Sequence, residues 1–200
     1  MRQARHSPLV LADERIDALQ EVPSVTTTVY EGAREAVRLL HELGHARVVG
    51  VGGYPGLSST LERTRALQER FPDAPTFFGD FEEESGHRIA AGLLADGSPF
   101  TALFAHNDSM AIGAIRALRE AGRRVPEDVS VIGFDDIDIA RMITPALTTV
   151  RKDMVEVGLR SGRILLSALA GVPLHEQKSV VLPTELVVRG STGPAPRALG

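Results

Sequence analysis

Two pairs of polar residues, Asn107-Asp108 and Asp135-Asp136, each stand where a short apolar run stops. The runs, TALFAH at 101–106 and VSVIGF at 129–134, read as strands. A carboxylate there can accept hydrogen bonds from vicinal hydroxyls or ring N–H groups, and a carboxamide can both accept and donate. That is chemistry for holding a small polar molecule. The Asp135-Asp136 pair could instead act as acid and base in an α/β enzyme, but no nucleophile or metal constellation accompanies it. Between the runs, 109–120 carries apolar Met110, Ile112, Ala114, Ile115 and Leu118 at helical spacing, stopped by Gly122 and Pro126. Strand, helix and strand in this order form a parallel βαβ unit, and ligands of open parallel sheets lie outside the carboxyl ends of the strands. Asn107 and Asp135 are expected to share one cleft. Asp108 reads as the cap of the helix, and Asp136 as the cap of a short helix after it.

Further candidates lie upstream. A turn-rich loop, 52–59, ends at Ser59 and forms a rim before a helix pattern over 60–71 that carries Arg63 near its start. Taken alone, such an arginine reads as solvated. Phe81, after a strand signal at 76–79, could stack on an apolar ring face or be ordinary core. Residues 41–45, HELGH, match the zinc-protease pattern HExxH letter for letter, yet that chemistry needs both imidazoles on one face of an unbroken helix. Gly44 reads as the helix end, leaving His41 a surface histidine and His45 a loop histidine. GVGGYP at 50–55 opens like a dinucleotide fingerprint but has proline at the third glycine's place, and there is neither a phosphate loop nor a nucleophile elbow. No metal and no cofactor is expected.

The composition narrows the partners. A formal net charge of −4 gives no general footprint for a polyanion, and Arg116, Arg119, Arg123 and Arg124 read as a solvated face. With no cysteine, disulfides and thiolate metal sites are excluded. The first residues lack the apolar core of a signal peptide and no run is long enough to span a membrane, so a cytoplasmic protein is expected. Helix patterns over 31–43, 84–95 and 153–170 alternate with strand signals at 8–12, 23–29, 47–51, 180–182 and 186–189. The class is α/β with parallel strands.

The string HNDSMAIGAIRALREAGRRVPEDVSVIGFDDIDIARMITPALTTVR, with EGAREAVRLLHELGHARVVGVGG and GDFEEESGHRIAAGLL before it and ELVVRGST after it, resembles the effector-binding domain of the LacI/GalR family of bacterial transcription regulators. The resemblance spans residues 8–192. It implies a periplasmic-binding-protein-like type I fold, a parallel-sheet α/β sandwich with two lobes and a small molecule between them. Residues 1–28 and 152–175 would be a partial amino-terminal lobe, 29–151 and 176–192 a nearly complete carboxy-terminal lobe, and 193–200 a disordered tail. The implied ligand set is Asp13, Ser59, Arg63, Phe81, Asn107 and Asp135. The implied dimer contacts are Met110, Gly113, Ala114 and Ala117, whose small members let another helix approach closely, with Ile139 and Met142.

The resemblance thus implies a binder, not an enzyme: a homodimeric domain for a small-molecule effector, a sugar before a purine. DNA would be reached only through a helix-turn-helix that these residues do not include. A solute-binding protein of a sugar uptake system, with the same fold, is the alternative. Thr28 stands where the family usually has aspartate, and Arg63 lacks the glycine that usually follows it.

Overall fold

The computed structural model describes residues 7–196. Strands β1 (Leu11–Ala12), β2 (Ser24–Thr27), β3 (Val48–Gly52), β4 (Thr76–Phe78), β5 (Ala102–Ala105), β6 (Ser130–Asp135), β7 (Thr148–Lys152), β8 (Val180–Leu182) and β9 (Thr184–Val187) alternate with five helices. These are α1 (Val29–Glu42), α2 (Ser58–Arg70), α3 (Glu83–Ala95), α4 (Asp108–Glu120) and α5 (Met154–Leu169). The chain divides into two units, one from residues 1–28 and 153–183, the other from 29–152 and 184–200.

The larger unit is a six-stranded sheet in the order β4-β3-β5-β6-β7-β9, parallel except for β9, which runs antiparallel to β7. Its central strands are apolar on both faces because helices cover both. Phe104, Ile132 and Phe134 face α1 and α2, with Val37, Leu40 and Leu67 among the buried partners. Leu103, Ala105 and Val131 face α3 and α4, with Leu93, Met110 and Leu118. Both phenylalanines are fully buried, and truncating either to alanine would cost about 3–5 kcal/mol.

Met110, Gly113, Ala114 and Ala117 are buried within the chain, so the structure corrects their expected place at a dimer contact. The close approach belongs to α3: a Cβ on Gly113 would lie 1.9 Å from the Glu83 carbonyl oxygen, and one on Gly86 would lie 2.1 Å from that of Met110. A small-residue stripe reports a near helix, and here the near helix is the chain's own. Ile139 and Met142 are exposed at 48% and 71%.

In the smaller unit, β2 lies between β1 and β8, all parallel. The expected lobe boundary at residue 176 therefore moves to 183/184, since β8 bonds to β2 and only β9 joins the larger sheet. α5 begins on an Asp153 cap, whose side chain accepts from the Glu156 amide at 2.9 Å, and buries Val157.

The tail expected to be disordered from 193 is instead docked over its first residues. The Gly193 amide donates to Ser130 Oγ at 3.0 Å, its carbonyl accepts from Ser130 Oγ at 3.2 Å, and the Ala195 amide donates to the Leu43 carbonyl at 2.8 Å. Residues 197–200 of that expectation lie outside the described residues.

Candidate functional site

The strand-end candidates Asn107 and Asp135 follow or end the neighbouring strands β5 and β6, and the capping role expected of Asp108 falls to Asn107. Asn107 is the cap of α4, its Oδ1 accepting from the Met110 amide at 2.9 Å, and its Nδ2 donates to the Phe81 carbonyl at 2.7 Å. It ties the end of β5 to the turn after β4. Asp108, expected to cap, instead points back across the sheet end and is fully buried. Its Oδ1 accepts from the Thr149 hydroxyl at 2.5 Å and its Oδ2 from the Ile137 amide at 2.9 Å. Burial pushes this carboxyl up to about 7, with the charges of Asp135 and Asp136 acting in the same direction against the two hydrogen bonds.

Asp135 and Asp136 both have positive φ, 110° and 57°, which makes the exit from β6 a sharp bend. Asp135 Oδ1 lies 3.0 Å from Lys152 Nζ and 3.9 Å from Arg63 Nη2. Asp136 does not cap the following short helix, whose cap residue is Ile137 with no side-chain bond. Instead it accepts from Arg151 Nε at 2.7 Å and Arg189 Nη2 at 2.5 Å. Burial acts upward on its pKa, but the bonds from Arg151 and Arg189 hold it below the ordinary carboxylate value. Of the two aspartates, Asp136 is committed to structure.

Arg63 is 2% exposed, and its guanidinium lies 4.0 Å over the Phe134 ring, a cation–π contact removed from water. The solvated reading of that arginine is thereby corrected. Ser59 is buried in the first turn of α2. Phe81 is half-buried at φ 70°, packed on the α3–α4 core, with its ring centroid 6.0 Å from that of Tyr54. A Cβ on Gly53 would lie 2.0 Å from the Phe81 ring, so any side chain there would displace that ring. Asp13 follows β1 in the smaller unit, with φ 67° and its amide on the Val25 carbonyl.

Sequence reasoning missed two residues. Lys152, at the end of β7, is 8% exposed and reaches Asp135; the strand-end rule that selected Asn107 and Asp135 would have selected it too. His106, the residue before Asn107, is fully buried beside Phe104, at 5.6 Å between ring centroids. Neither ring nitrogen has a hydrogen-bond partner among the described residues. Burial, and then the charge of Arg63, hold its pKa well below the ordinary histidine value. Nothing in a single sequence separates such a histidine from any other strand residue.

His45 stands in the loop after α1 as expected, but it is buried rather than solvated. It is 2% exposed, with its ring nitrogens 3.0 Å from Thr101 Oγ1 and 3.0 Å from Ser130 Oγ, and Gly44 at φ 85° turns the chain out of α1. Among the described residues, no group of three or more His, Asp or Glu is placed to hold a metal ion. The basic cluster is largely committed: Arg116 pairs with Glu83 and Glu84, Arg124 with Asp128, and Arg119 donates to the Thr144 carbonyl. An open groove of about 740 Å³ lies at the opposite, amino end of the strands, between Arg47, Phe71, Pro75 and Phe77. It contains none of the converging polar groups.

A doubly covered parallel sheet with the buried charged side chains of Arg63, Asp108 and Lys152 at the carboxyl ends of the strands defines a class, the small-molecule-binding α/β domains. A family model described as periplasmic binding protein-like domain matches residues 37–192. The probable HTH-type transcriptional repressor ExuR of Bacillus subtilis is 34% identical over 194 residues, covering 94% of this chain and 58% of that protein. A LacI family transcriptional regulator from Enterococcus faecium, solved with bound ribose, superposes with a TM-score of 0.84 at 30% identity, over 94% of this chain and 71% of that one. The lac repressor dimer bound to operator and the anti-inducer ONPF gives a TM-score of 0.81 at 30% identity, over 93% and 65%. The chain belongs to the LacI family, within its periplasmic-binding-protein-like domain. It spans less than two thirds of the length of the curated relatives it matches.

Proposed function

We propose that this chain is the effector-binding domain of a LacI-type transcriptional regulator, and that Asn107, Asp135, Arg63 and Phe81 hold a small polyhydroxylated molecule, a sugar in preference to a purine. The observation that carries this reading is Asp135, a partly buried carboxylate on a strained bend, set between the buried cations of Arg63 and Lys152. A carboxylate held there accepts paired hydroxyl donors, and the guanidinium supplies directed donors at fixed angles. Support for a sugar comes from the ribose in the Enterococcus faecium relative. Ser59, beside Arg63 on α2, stays in the candidate ligand set.

The family's repressors are binders, and no turnover of the effector is expected. They also set aside the uptake-protein alternative. Association of two copies through Ile139 and Met142 is the proposed dimer, in line with the dimeric lac repressor. DNA reading, as in that operator complex, is assigned to a helix-turn-helix outside these residues, since the net charge of −4 offers phosphate no general face. The proposed compartment is the cytoplasm; among the described residues no helix is long and apolar enough to cross a membrane.

The experiment is a thermal melt of the 200-residue chain with D-ribose, D-galactose, D-glucuronate or hypoxanthine. A ligand present at a hundred times its Kd adds about 2.7 kcal/mol to the native state and raises Tm by several degrees. A rise with any of the sugars that R63A abolishes supports the reading. A rise with hypoxanthine alone moves the effector class to purines, and no rise with any of the four removes the effector reading for this chain.

A further inference from the structure

The bend that carries Asp135 has two consecutive non-glycine residues at positive φ, a conformation that persists only where its surroundings hold it. From one side the ties are Arg151 and Arg189 on Asp136. From the other side a carboxyl group adds a further tie. Asp108, on the first turn of α4, accepts the Ile137 amide just past the bend and the Thr149 hydroxyl of the neighbouring strand. β6 makes room for it with glycine: a Cβ on Gly133 would lie 2.2 Å from Asp108 Oδ1.

We propose that Asp108 is a positioning residue for effector recognition, fixing through the Ile137 amide and the Thr149 hydroxyl the bend on which Asp135 stands. The proposal rests on the reading that Asp135 meets the effector. An ordinary structural tie would set only the stability of the fold. A positioning residue sets the angle at which a neighbouring carboxylate faces its ligand, so loosening it lowers affinity in molecules that are still folded.

The charge state of Asp108 gives a second handle. Its ionised form accepts both bonds, and burial places its titration near neutrality, at about 7. The charged groups around it are Asp135 and Asp136 at the end of β6, with Arg63 and Lys152 on the former and Arg151 and Arg189 on the latter; Thr149, from β7, is neutral. Protonation removes acceptor capacity from the tie, so affinity should fall as pH is lowered from 8 to 6.

The test uses the full 200-residue chain and the variants D108N, T149V and T149S. Amide hydrogen exchange at Ile137 needs no ligand, and calorimetric titrations use D-ribose, D-galactose and D-glucuronate at pH 6 and 8. In D108N the Ile137 amide should exchange at least about tenfold faster. Affinity for whichever of the three sugars binds the wild type should fall at least about tenfold at pH 8, a loss of about 1.4 kcal/mol, and lose its pH dependence. T149V should move both readouts in the same direction by less, and T149S should restore them. Should D108N fail to fold, the T149V and T149S pair decides alone. Wild-type affinity in folded D108N or in T149V overturns the proposal, as does unchanged Ile137 protection. If hypoxanthine is the ligand that binds the wild type, the same titrations are run with it; if none of the four binds, the effector reading fails and the positioning role with it, and faster Ile137 exchange then marks Asp108 as a structural tie only.

Discussion

Asp135 and Asp136 are identical neighbours with different partners. Asp136 is held by two arginines at 2.7 and 2.5 Å, whereas Asp135 stands between Arg63 and Lys152 at the candidate site. D136N should therefore cost stability, by about 1–2 kcal/mol once the exposure of Arg151 is discounted, and lower sugar affinity only by loosening the bend, by less than D135N does. D135N removes the carboxylate set between two buried cations, so it should cost at least as much stability and also lower affinity at least about tenfold. Melting curves and titrations on both variants would separate them; matching losses of affinity would argue that the bend acts as one piece. His106 is the opposite case, a buried polar ring with no hydrogen-bond partner among the described residues. H106L keeps the approximate volume and removes two unsatisfied nitrogens, so it should gain about 1 kcal/mol. The histidine's folded pKa is depressed, so the folded state binds fewer protons than the unfolded one and wild-type stability drops as pH falls below the unfolded value near 6.5. The advantage of H106L should grow between pH 7 and pH 5 in denaturant titrations; a constant or shrinking advantage would count against a neutral buried ring.

The elements were the readable part of this sequence, and the contacts between them were not. Apolar periodicity placed the main helices and strands, because a doubly covered parallel sheet writes near-continuous apolar runs. The strand-end rule then found Asn107 and Asp135. It did not say which of Asn107 and Asp108 faces the α4 amides, since a shift of one residue exchanges a cap for a strand tie. Nor did the small residues of α4 say which helix they meet. The structure answers with α3, and the answer is testable. G113A pushes a methyl group into the Glu83 carbonyl and should cost about 3 kcal/mol or lose the fold. M142D, at an exposed side chain, should leave the melt nearly unchanged while weakening self-association in sedimentation experiments. If G113A folded normally and only the oligomeric state changed, the assignment of this stripe to α3 would be wrong.

At the scale of the whole chain, the two units differ in how much apolar surface each buries for its own backbone. The larger has covered helices on both sheet faces and fully buried phenylalanines on two adjacent strands. Among its described residues the smaller has three short strands and one α-helix, and on that helix Val155, Leu166 and Leu169 are 75%, 67% and 65% exposed while Val157 is buried. Hydrophobic burial contributes roughly 25 cal/mol for each Å² removed from water, so a helix exposing this much of its apolar surface adds little to local stability. Resistance to local opening follows that density of buried contacts. Native-state hydrogen exchange should accordingly find the amides of β2, β8 and α5 opening at least about tenfold faster than those of β5 and β6, with a lower denaturant midpoint for the first group. Equal protection across both units would mean that the chain opens only as a whole, and that the exposed face of α5 is covered in solution, with a second copy of the chain the first occupant to test by measuring exchange at two protein concentrations.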